Sequence, residues 1–344
     1  MKKIRVAING FGRIGRAFFK MALEKPELTV VAVNDLGEAE TFGYLLTYDT
    51  VYGKYDKNVR VSRRAGRVFL EVDKKEIDYL SEKEPEKLPW RELDIDVVVE
   101  ATGRFSSFEK SKAHLTAGAK RVVMTAPAGD EPETVRGATV LIGVNEEKLK
   151  TCEISSNASC TTNAGSPLLA ILDETVGVEK ALLTTVHAYT ATQTLVDGPS
   201  KRHLRDGRAG AENIIPSSTG AAVAVTKAYT ALKGLFDGIS IRVPVVVGSI
   251  VDVTLVARRA TSADEVNKIL KKAASSPRWK DIFTVTEENL VSSDIKGSRY
   301  AAIADLQMTR VVGGNLVKVL AWYDNEMGYA STLVEHVIKA GQYI

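Results

Sequence analysis

Residues 4–24 read IRVAINGFGRIGRAFFKMALE. Ile4 to Ile8 is a short apolar run of strand character, Gly10-Phe11-Gly12-Arg13-Ile14-Gly15 follows at once, and Arg16 to Glu24 is amphipathic with helical period. In the order strand, glycine loop, helix, each glycine has a use. Gly10 permits a tight turn, Gly12 lets the backbone approach a pyrophosphate, and Gly15 allows close helix packing, while free N–H groups of the first helical turn face anionic oxygens. Arg13 adds a positive charge beside the loop. Such a turn also occurs for structural reasons alone, so the next strand matters. Leu28 to Val33 ends in Asn34-Asp35, which puts a carboxylate about twenty residues past the loop, where a ribose 2′-hydroxyl is held. The combination predicts an α/β chain that opens with a Rossmann dinucleotide-binding domain for NAD. The Asp35 charge repels the 2′-phosphate of NADP, and no arginine directly follows it to offset that repulsion.

At 344 residues the chain exceeds the size at which one core usually stops growing, so two domains are expected. Its 46 basic residues nearly balance 43 acidic ones, and a net charge of +3 therefore does not imply a nucleic-acid surface. The N-terminus starts basic and then apolar, but Asn9 and Arg13 interrupt it, so no signal peptide and no membrane span are expected. Cys152 and Cys160 match neither a redox nor a zinc spacing, which fits a reducing, cytoplasmic setting. His114, His187, His203 and His336 are scattered without ligand spacing, and no metal site is expected.

Residues 58–80 alternate polar and apolar around Ala65-Gly66 and Asp73-Lys74, suggesting antiparallel strands inserted into the nucleotide domain. Asp96 to Ala101 and Arg121 to Ala126 read as buried strands ending in Thr102-Gly103 and Thr125-Ala126, and in an open parallel sheet such ends line the ligand crevice. Glu100 precedes one of these ends and reads as a solvated or backbone-bonded group.

A second chemical centre follows the strand that ends near Ser156. Asn157-Ala158-Ser159-Cys160-Thr161-Thr162-Asn163 leads into the apolar helix Leu168 to Leu172, which places Cys160 at or near a helix N-terminus with Ser159 as its cap. The positive end of the macrodipole favours a thiolate, but a helix end contributes about 1 kcal/mol or less, under one pKa unit, so a further partner is required. His187, ending the strand Lys180 to Val186, is the candidate: an imidazolium forms an ion pair with the thiolate, and the neutral ring accepts its proton. Cys152, in the strand Thr151 to Ser155, reads as structural.

At SNASCTTN (156–163) the chain resembles the active-site signature of phosphorylating glyceraldehyde-3-phosphate dehydrogenases. NGFGRIGR (9–16), HAYTATQ (187–193), NIIPSSTGAA (213–222), RVP (242–244) and WYDNEMGY (322–329) agree in order and spacing, so the resemblance covers essentially the whole chain. It implies an NAD-binding domain at 1–159, completed by a C-terminal helix at 326–344, and an α/β catalytic domain with a mostly antiparallel sheet at 160–325. It implies Cys160 as nucleophile toward glyceraldehyde 3-phosphate, forming a thiohemiacetal and then a thioester with His187 as base. Inorganic phosphate then attacks the thioester and gives 1,3-bisphosphoglycerate. By the same resemblance Thr190, Thr192 and Arg242 hold the substrate phosphate, and Ser159, Thr161, Thr219 and Gly220 hold the attacking phosphate. Gly10, Gly12, Arg13, Ile14 and Asp35 contact the adenosine and pyrophosphate, Lys83 and Thr125 make further cofactor contacts, Asn325 lies near the nicotinamide amide and Tyr329 packs by its ring. Residues 191–212 resemble the family's S-shaped loop, which implies a homotetramer.

The chain departs from the family at Val223, where a lysine is frequent, at VVVGS (245–249), at Ala164, where a second cysteine is common, and at Met327, where an aromatic is frequent. The first three touch no named chemistry, whereas Met327 implies a nicotinamide pocket packed differently from the family's. An erythrose-4-phosphate dehydrogenase shares the cysteine chemistry but departs from the HAYT and STGAA patterns present here. A non-catalytic NAD- or RNA-binding protein would not require both Cys160 and His187.

Overall fold

The computed structural model describes residues 3–200 and 203–344. The chain divides into two compact units. The first runs through Val140 and takes in Glu146–Ala158 and Leu333–Ile344; the second comprises Leu141–Asn145 and Ser159–Thr332. The split inside the last helix falls later than position 326, because its first turns pack with the second unit.

The first unit contains β1 (Ile4–Asn9), α1 (Arg13–Ala22), β2 (Leu28–Asn34), α2 (Ala39–Thr47), β3 (Tyr48–Asp49), β4 (Gly53–Lys54), β5 (Val59–Arg64), β6 (Arg67–Val72) and β7 (Lys75–Leu80). It continues with β8 (Val97–Glu100), α3 (Phe108–Thr116), β9 (Arg121–Met124), β10 (Gly137–Thr139) and β11 (Ile154–Ser156). Nine strands form one sheet in the order β10-β11-β9-β8-β1-β2-β7-β6-β5. All pairs from β10 to β7 are parallel, and only β5, β6 and β7 form an antiparallel meander. The inserted strands are thus where the alternation puts them, and both residues of the turn Ala65-Gly66 take positive φ, the geometry a two-residue hairpin needs.

Parallel strands covered on both faces are apolar nearly throughout, as in IRVAIN, VVVE and RVVM. Trp90 fills the core beside Ala7, Ala32, Ile95 and Val98. From β1 the chain builds outward through β2 and β7, then returns to the other side of β1 with β8, so the strand order reverses between β1 and β8. At such a switch point the strand ends splay around a crevice. His336 is buried, with Nε2 2.7 Å from Ser155 Oγ and Nδ1 3.1 Å from Asn157 Oδ1, and burial holds its pKa down at about 3. Of the two readings of Glu100, solvated or backbone-bonded, the second holds: it is buried, and its Oε1 accepts the Thr102 N–H at 2.9 Å.

The second unit contains α4 (Cys160–Asp173), β12 (Val178–Ala188), β13 (Ile215–Ser218), α5 (Ala221–Ala228), β14 (Phe236–Val243), β15 (Ser249–Ala257), α6 (Ala263–Ala274), β16 (Phe283–Thr286), β17 (Ala302–Val312) and β18 (Leu316–Tyr323). The start of α7 (Met327–Gly341) belongs to it as well. Its seven-stranded sheet, β13-β14-β12-β15-β18-β17-β16, is mostly antiparallel, with parallel pairs at β12/β14 and β16/β17. β15 alternates buried and half-buried residues along its length, so one face carries the helices. α4 is buried from Thr161 to Leu172, apolar from Pro167 to Leu172 but carrying the polar Thr161, Thr162, Asn163 and Ser166 in its first turns. It begins at Cys160, eight residues before the expected apolar run. Cys152 precedes β11 rather than lying in a strand, and is buried. Among the described residues no helix is long and apolar enough to cross a membrane.

Candidate active site

Ser159 is extended (φ −112°, ψ 166°), and its Oγ accepts the Thr162 N–H at 3.1 Å, so α4 is capped one residue before Cys160. Cys160 Sγ lies 3.3 Å from His187 Nε2. The histidine is delivered by the eleven-residue β12, whose parallel register with β14 puts Arg242 directly opposite it. Its ring edge meets Tyr323 at a centroid distance of 5.9 Å and an interplanar angle of 75°. The Tyr323 hydroxyl is itself held between Thr161 Oγ1 (3.0 Å) and Thr185 Oγ1 (2.8 Å). The histidine therefore has one wall of fixed aromatic carbon and one sulfur partner.

On its far side, His187 Nδ1 lies 2.6 Å from both Ala188 O and Arg242 Nη1. With a proton on Nδ1 the ring donates to Ala188 O and offers the Nε2 lone pair to the thiol. With Nδ1 accepting from Arg242, Nε2–H donates to sulfur instead. The site thus provides a partner for both states of the sulfur. Burial pushes the Cys160 thiol up, against the pull of the Arg242 charge and the Thr161 N–H. Burial, reinforced by Arg242, takes His187 down to about 3. The neutral ring, a base rather than a standing cation, is the form these surroundings favour.

Thr190 and Thr192 follow β12 in a turn that brings their hydroxyls to 2.8 Å, and Gln193 Oε1 accepts the Thr190 N–H at 3.1 Å. Gln193 is anchored in turn by donating to Asp206 Oδ1 at 3.0 Å. Arg242 Nε is buried and has no partner, an orphaned cationic donor of the kind an anion satisfies. Thr219 Oγ1 accepts the Ala221 N–H at 3.1 Å at the start of α5, and a Cβ added at Gly220 would meet nothing within 4 Å. The Thr161 hydroxyl, by contrast, is turned inward to Tyr323, and its N–H faces the Cys160 sulfur. Asn325 Oδ1 accepts from Gly248 N (3.2 Å) and Ser249 Oγ (3.1 Å), which leaves its amide nitrogen as the end that can donate. Tyr329 is buried on α7.

In the first unit, a cleft of about 1030 Å³ opens at the switch point, lined among others by Asn9, Gly10, Gly12, Asp35, Lys83 and Thr102. The three glycines differ in what they avoid. A Cβ at Gly10 (φ +95°) would lie 2.6 Å from the Ala101 carbonyl carbon, and one at Gly15 would lie 2.2 Å from Gly10 O. At Gly12 a Cβ would meet no protein atom within 4 Å, so nothing inside the protein requires a glycine there. That open approach fits a ligand pyrophosphate. Asp35 Oδ2 accepts the Phe11 N–H at 2.7 Å, tying the end of β2 to the glycine loop. Arg13 is paired with Asp49 at 3.2 and 3.3 Å, which offsets part of the charge expected beside the loop. Ile14 is half-buried in α1. Thr125 follows β9 and gives its N–H to Glu100 O at 3.0 Å, and it is not among the residues that line this cleft.

Residues 4–108 match the family description "Glyceraldehyde 3-phosphate dehydrogenase, NAD binding domain", and 159–325 match "Glyceraldehyde 3-phosphate dehydrogenase, C-terminal domain". The chain is 44% identical over 344 residues to the glyceraldehyde-3-phosphate dehydrogenase of Streptomyces coelicolor, with 99% of each chain covered. The chain belongs to the glyceraldehyde-3-phosphate dehydrogenase family. It is similarly 44% identical over 335 residues to glyceraldehyde-3-phosphate dehydrogenase 2 of Bacillus subtilis, covering 97% of this chain and 95% of that one. The enzyme of Geobacillus stearothermophilus is 44% identical over 334 residues, 96% of each chain. As a glyceraldehyde-3-phosphate dehydrogenase family member it is an NAD-dependent oxidoreductase.

The second unit of this glyceraldehyde-3-phosphate dehydrogenase family chain brings together Cys160, His187 and Arg242, and separately Thr190 with Thr192. Sequence reading passed over Tyr323, Thr185, Gln193 and Ser249, which orient those groups. Tyr323 stands inside the quoted WYDNEMGY run, but a phenol under an imidazole leaves no periodic trace in sequence. Lys201 and Arg202, within the loop 191–212, lie outside the described residues.

Proposed function

We propose that this chain oxidises glyceraldehyde 3-phosphate, with NAD and inorganic phosphate, to 1,3-bisphosphoglycerate. The observation that carries the reading is Cys160 Sγ at 3.3 Å from His187 Nε2 beside the unpartnered Arg242 Nε. Cys160 Sγ attacks the aldehyde carbon as His187 takes the thiol proton, and that proton goes on to the new alkoxide to complete the thiohemiacetal. His187 Nε2 then removes the hydroxyl proton as C1 loses its hydride, and the carbon–oxygen double bond re-forms as a thioester on Sγ. NAD, when bound, supplies the hydride acceptor. A phosphate oxygen adds to the thioester carbon, the C–S bond breaks, and Cys160 leaves as a thiolate beside His187. Thr190, Thr192 and Arg242 are proposed to hold the substrate phosphate. Ser159, Thr161, Thr219 and Gly220 are proposed to hold the attacking phosphate. Gly10, Gly12, Arg13, Ile14, Asp35, Lys83 and Thr125, with Asn325 and Tyr329, are proposed for the cofactor.

We also propose a cytoplasmic homotetramer. Leu195 (84% exposed) and Leu204 (90%) project from the loop 191–212, and Leu182 and Ile239 stand exposed on the bare face of the second sheet, apolar surface that a second copy would cover. Both cysteines are free, which fits a reducing compartment.

The test follows NADH absorbance with glyceraldehyde 3-phosphate, with and without inorganic phosphate, and with erythrose 4-phosphate as competitor substrate. A fast, phosphate-dependent rate on glyceraldehyde 3-phosphate is expected. Turnover indifferent to phosphate would move the reading to thioester hydrolysis, and absence of turnover would leave NAD binding alone. The cleft carries its own prediction. Gly12→Ala folds with stability within about 1 kcal/mol of wild type, because its methyl meets open space, yet weakens NAD by about tenfold or more. Thermal unfolding and NAD titration of the same preparation read the two effects separately.

A further inference from the structure

Behind the nucleotide cleft, in the first unit, lies a set of buried polar groups that no step above uses. Glu100 ends β8 at 3% exposure, and its carboxylate collects four donors. Asn9 Nδ2 (2.6 Å) and His114 Nε2 (2.9 Å) reach Oε2, and the Thr102 N–H (2.9 Å) and hydroxyl reach Oε1. His114 Nδ1 accepts from Trp90 Nε1 at 3.0 Å. An indole N–H can only donate, so the ring's proton is on Nε2 and is given to Glu100. The chain continues on the other side. Asn34 Nδ2 donates to Asn9 Oδ1 at 2.7 Å, and Asn34 Oδ1 accepts the Glu82 N–H at 2.8 Å.

The ends of β1, β2 and β8, the turn at Thr102 and the segment after β7 all line the cleft, and one acceptor-only group gathers them. A buried carboxylate is costly even when fully bonded, and packing alone would be better served by an apolar side chain. Glutamine would bring two N–H groups to a point where four donors already converge. What distinguishes glutamate is the direction it imposes on each donor, since every amide and hydroxyl around it must turn its hydrogen inward. For Asn9 and Asn34 this fixes the direction of each amide: Asn9 Nδ2 is turned to Glu100, so its Oδ1 accepts from Asn34 Nδ2, which also donates to Glu82 O at 2.9 Å, and the segment after β7 is thereby held to the ends of β1 and β2.

The geometry points to Glu100, with His114 and Trp90 behind it, as positioning residues that set the polar floor of the cleft before NAD arrives. Trp90 fixes the His114 tautomer, His114 and Asn9 share one carboxylate oxygen, and Thr102 takes the other. The inference rests on the assignment of NAD to this cleft.

Isothermal titration of the full-length protein with NAD tests it, on wild type, Glu100→Gln and Trp90→Phe, alongside steady-state kinetics and the iodoacetamide alkylation rate of Cys160. In Glu100→Gln the Kd and KM for NAD rise together by about tenfold or more, as the loss of directed hydrogen bonds requires. kcat at saturating NAD stays within about threefold and Cys160 alkylation keeps its wild-type rate, because the bound geometry is rebuilt once the ligand is present. An unchanged Kd overturns the proposal. So does a parallel fall of kcat and alkylation, which marks a merely structural role. If Glu100→Gln does not fold, Trp90→Phe decides: it keeps an aromatic ring at that core position and removes the N–H, a Kd raised about threefold supports the proposal, and an unchanged Kd overturns it. Failure of the wild type to bind NAD would remove the cleft assignment and this inference with it, whereas wild-type binding with unaffected variants removes the network alone.

Discussion

Cys160→Ser lowers phosphate-dependent NADH formation from glyceraldehyde 3-phosphate by about 10⁴-fold or more, the scale seen when a covalent nucleophile is removed. Serine keeps the shape of the site, since Cys160 occupies the first position of a helix capped by Ser159 and not by itself. What is lost is an atom that His187 can deprotonate. A ring held near pKa 3 is a weak base, adequate for a thiol whose anion is further helped by Arg242 and the Thr161 N–H, but far from adequate for an alcohol. NAD affinity stays within about threefold of wild type, because the glycine-loop cleft and its Glu100 network contain no atom of Cys160. Rapid mixing with NAD and aldehyde also separates the steps. The wild type gives a burst of NADH equal to its sites before phosphate is added, and the serine variant gives none. A variant retaining more than about a hundredth of wild-type turnover would mean that another group carries the acyl chain, and the proposed reaction would fail at its first bond.

The parts of this molecule that were legible in the sequence are those in which neighbours along the chain are also neighbours in function. The glycine loop, the aspartate after β2, the hairpins around Ala65-Gly66 and Asp73-Lys74, and the cap before Cys160 each declare themselves within a few residues. The glycines show how far this reaches. Their spacing marks the motif, but only the structure separates Gly10 and Gly15, which avoid the protein's own backbone, from Gly12, which leaves room for something else.

What sequence could not supply depends on groups distant in the chain. Glu100 looks like an ordinary acidic strand end until Asn9 and His114, the latter held by Trp90, converge on it, and hydrogen bonds across 14 to 91 positions carry no period. The same holds for Tyr323, whose place under His187 follows from the strand order of the second sheet. The macrodipole of α4 favours a Cys160 thiolate, but desolvation acts on the thiol in the opposite direction and is visible only when the burial of α4 is known.

His187→Asn lowers kcat by about 10² to 10⁴-fold, the range of a positioned general base, and moves the pH midpoint of Cys160 alkylation upward. The sign follows from the pair. In the wild type, moving the proton from Sγ to Nε2 creates opposite charges 3.3 Å apart, an attraction of about 5 kcal/mol at an effective dielectric near 20, from which the desolvation of both groups must be subtracted. Asparagine cannot take the proton, so the attraction vanishes while the burial that pushes the thiol up remains. The thiol therefore stays protonated to higher pH than in the wild type, and alkylation at neutral pH slows accordingly. Arg242 still pulls the other way, but it does so in both proteins and cancels in the comparison. Iodoacetamide rates from pH 5 to 10, measured without NAD or phosphate, read this directly, with the midpoint of the variant expected above that of the wild type. Coincident profiles would show that Cys160 is set by α4 and Arg242 alone, and the role of His187 would then be confined to removing the proton during hydride transfer, a step that the fall in kcat would still report.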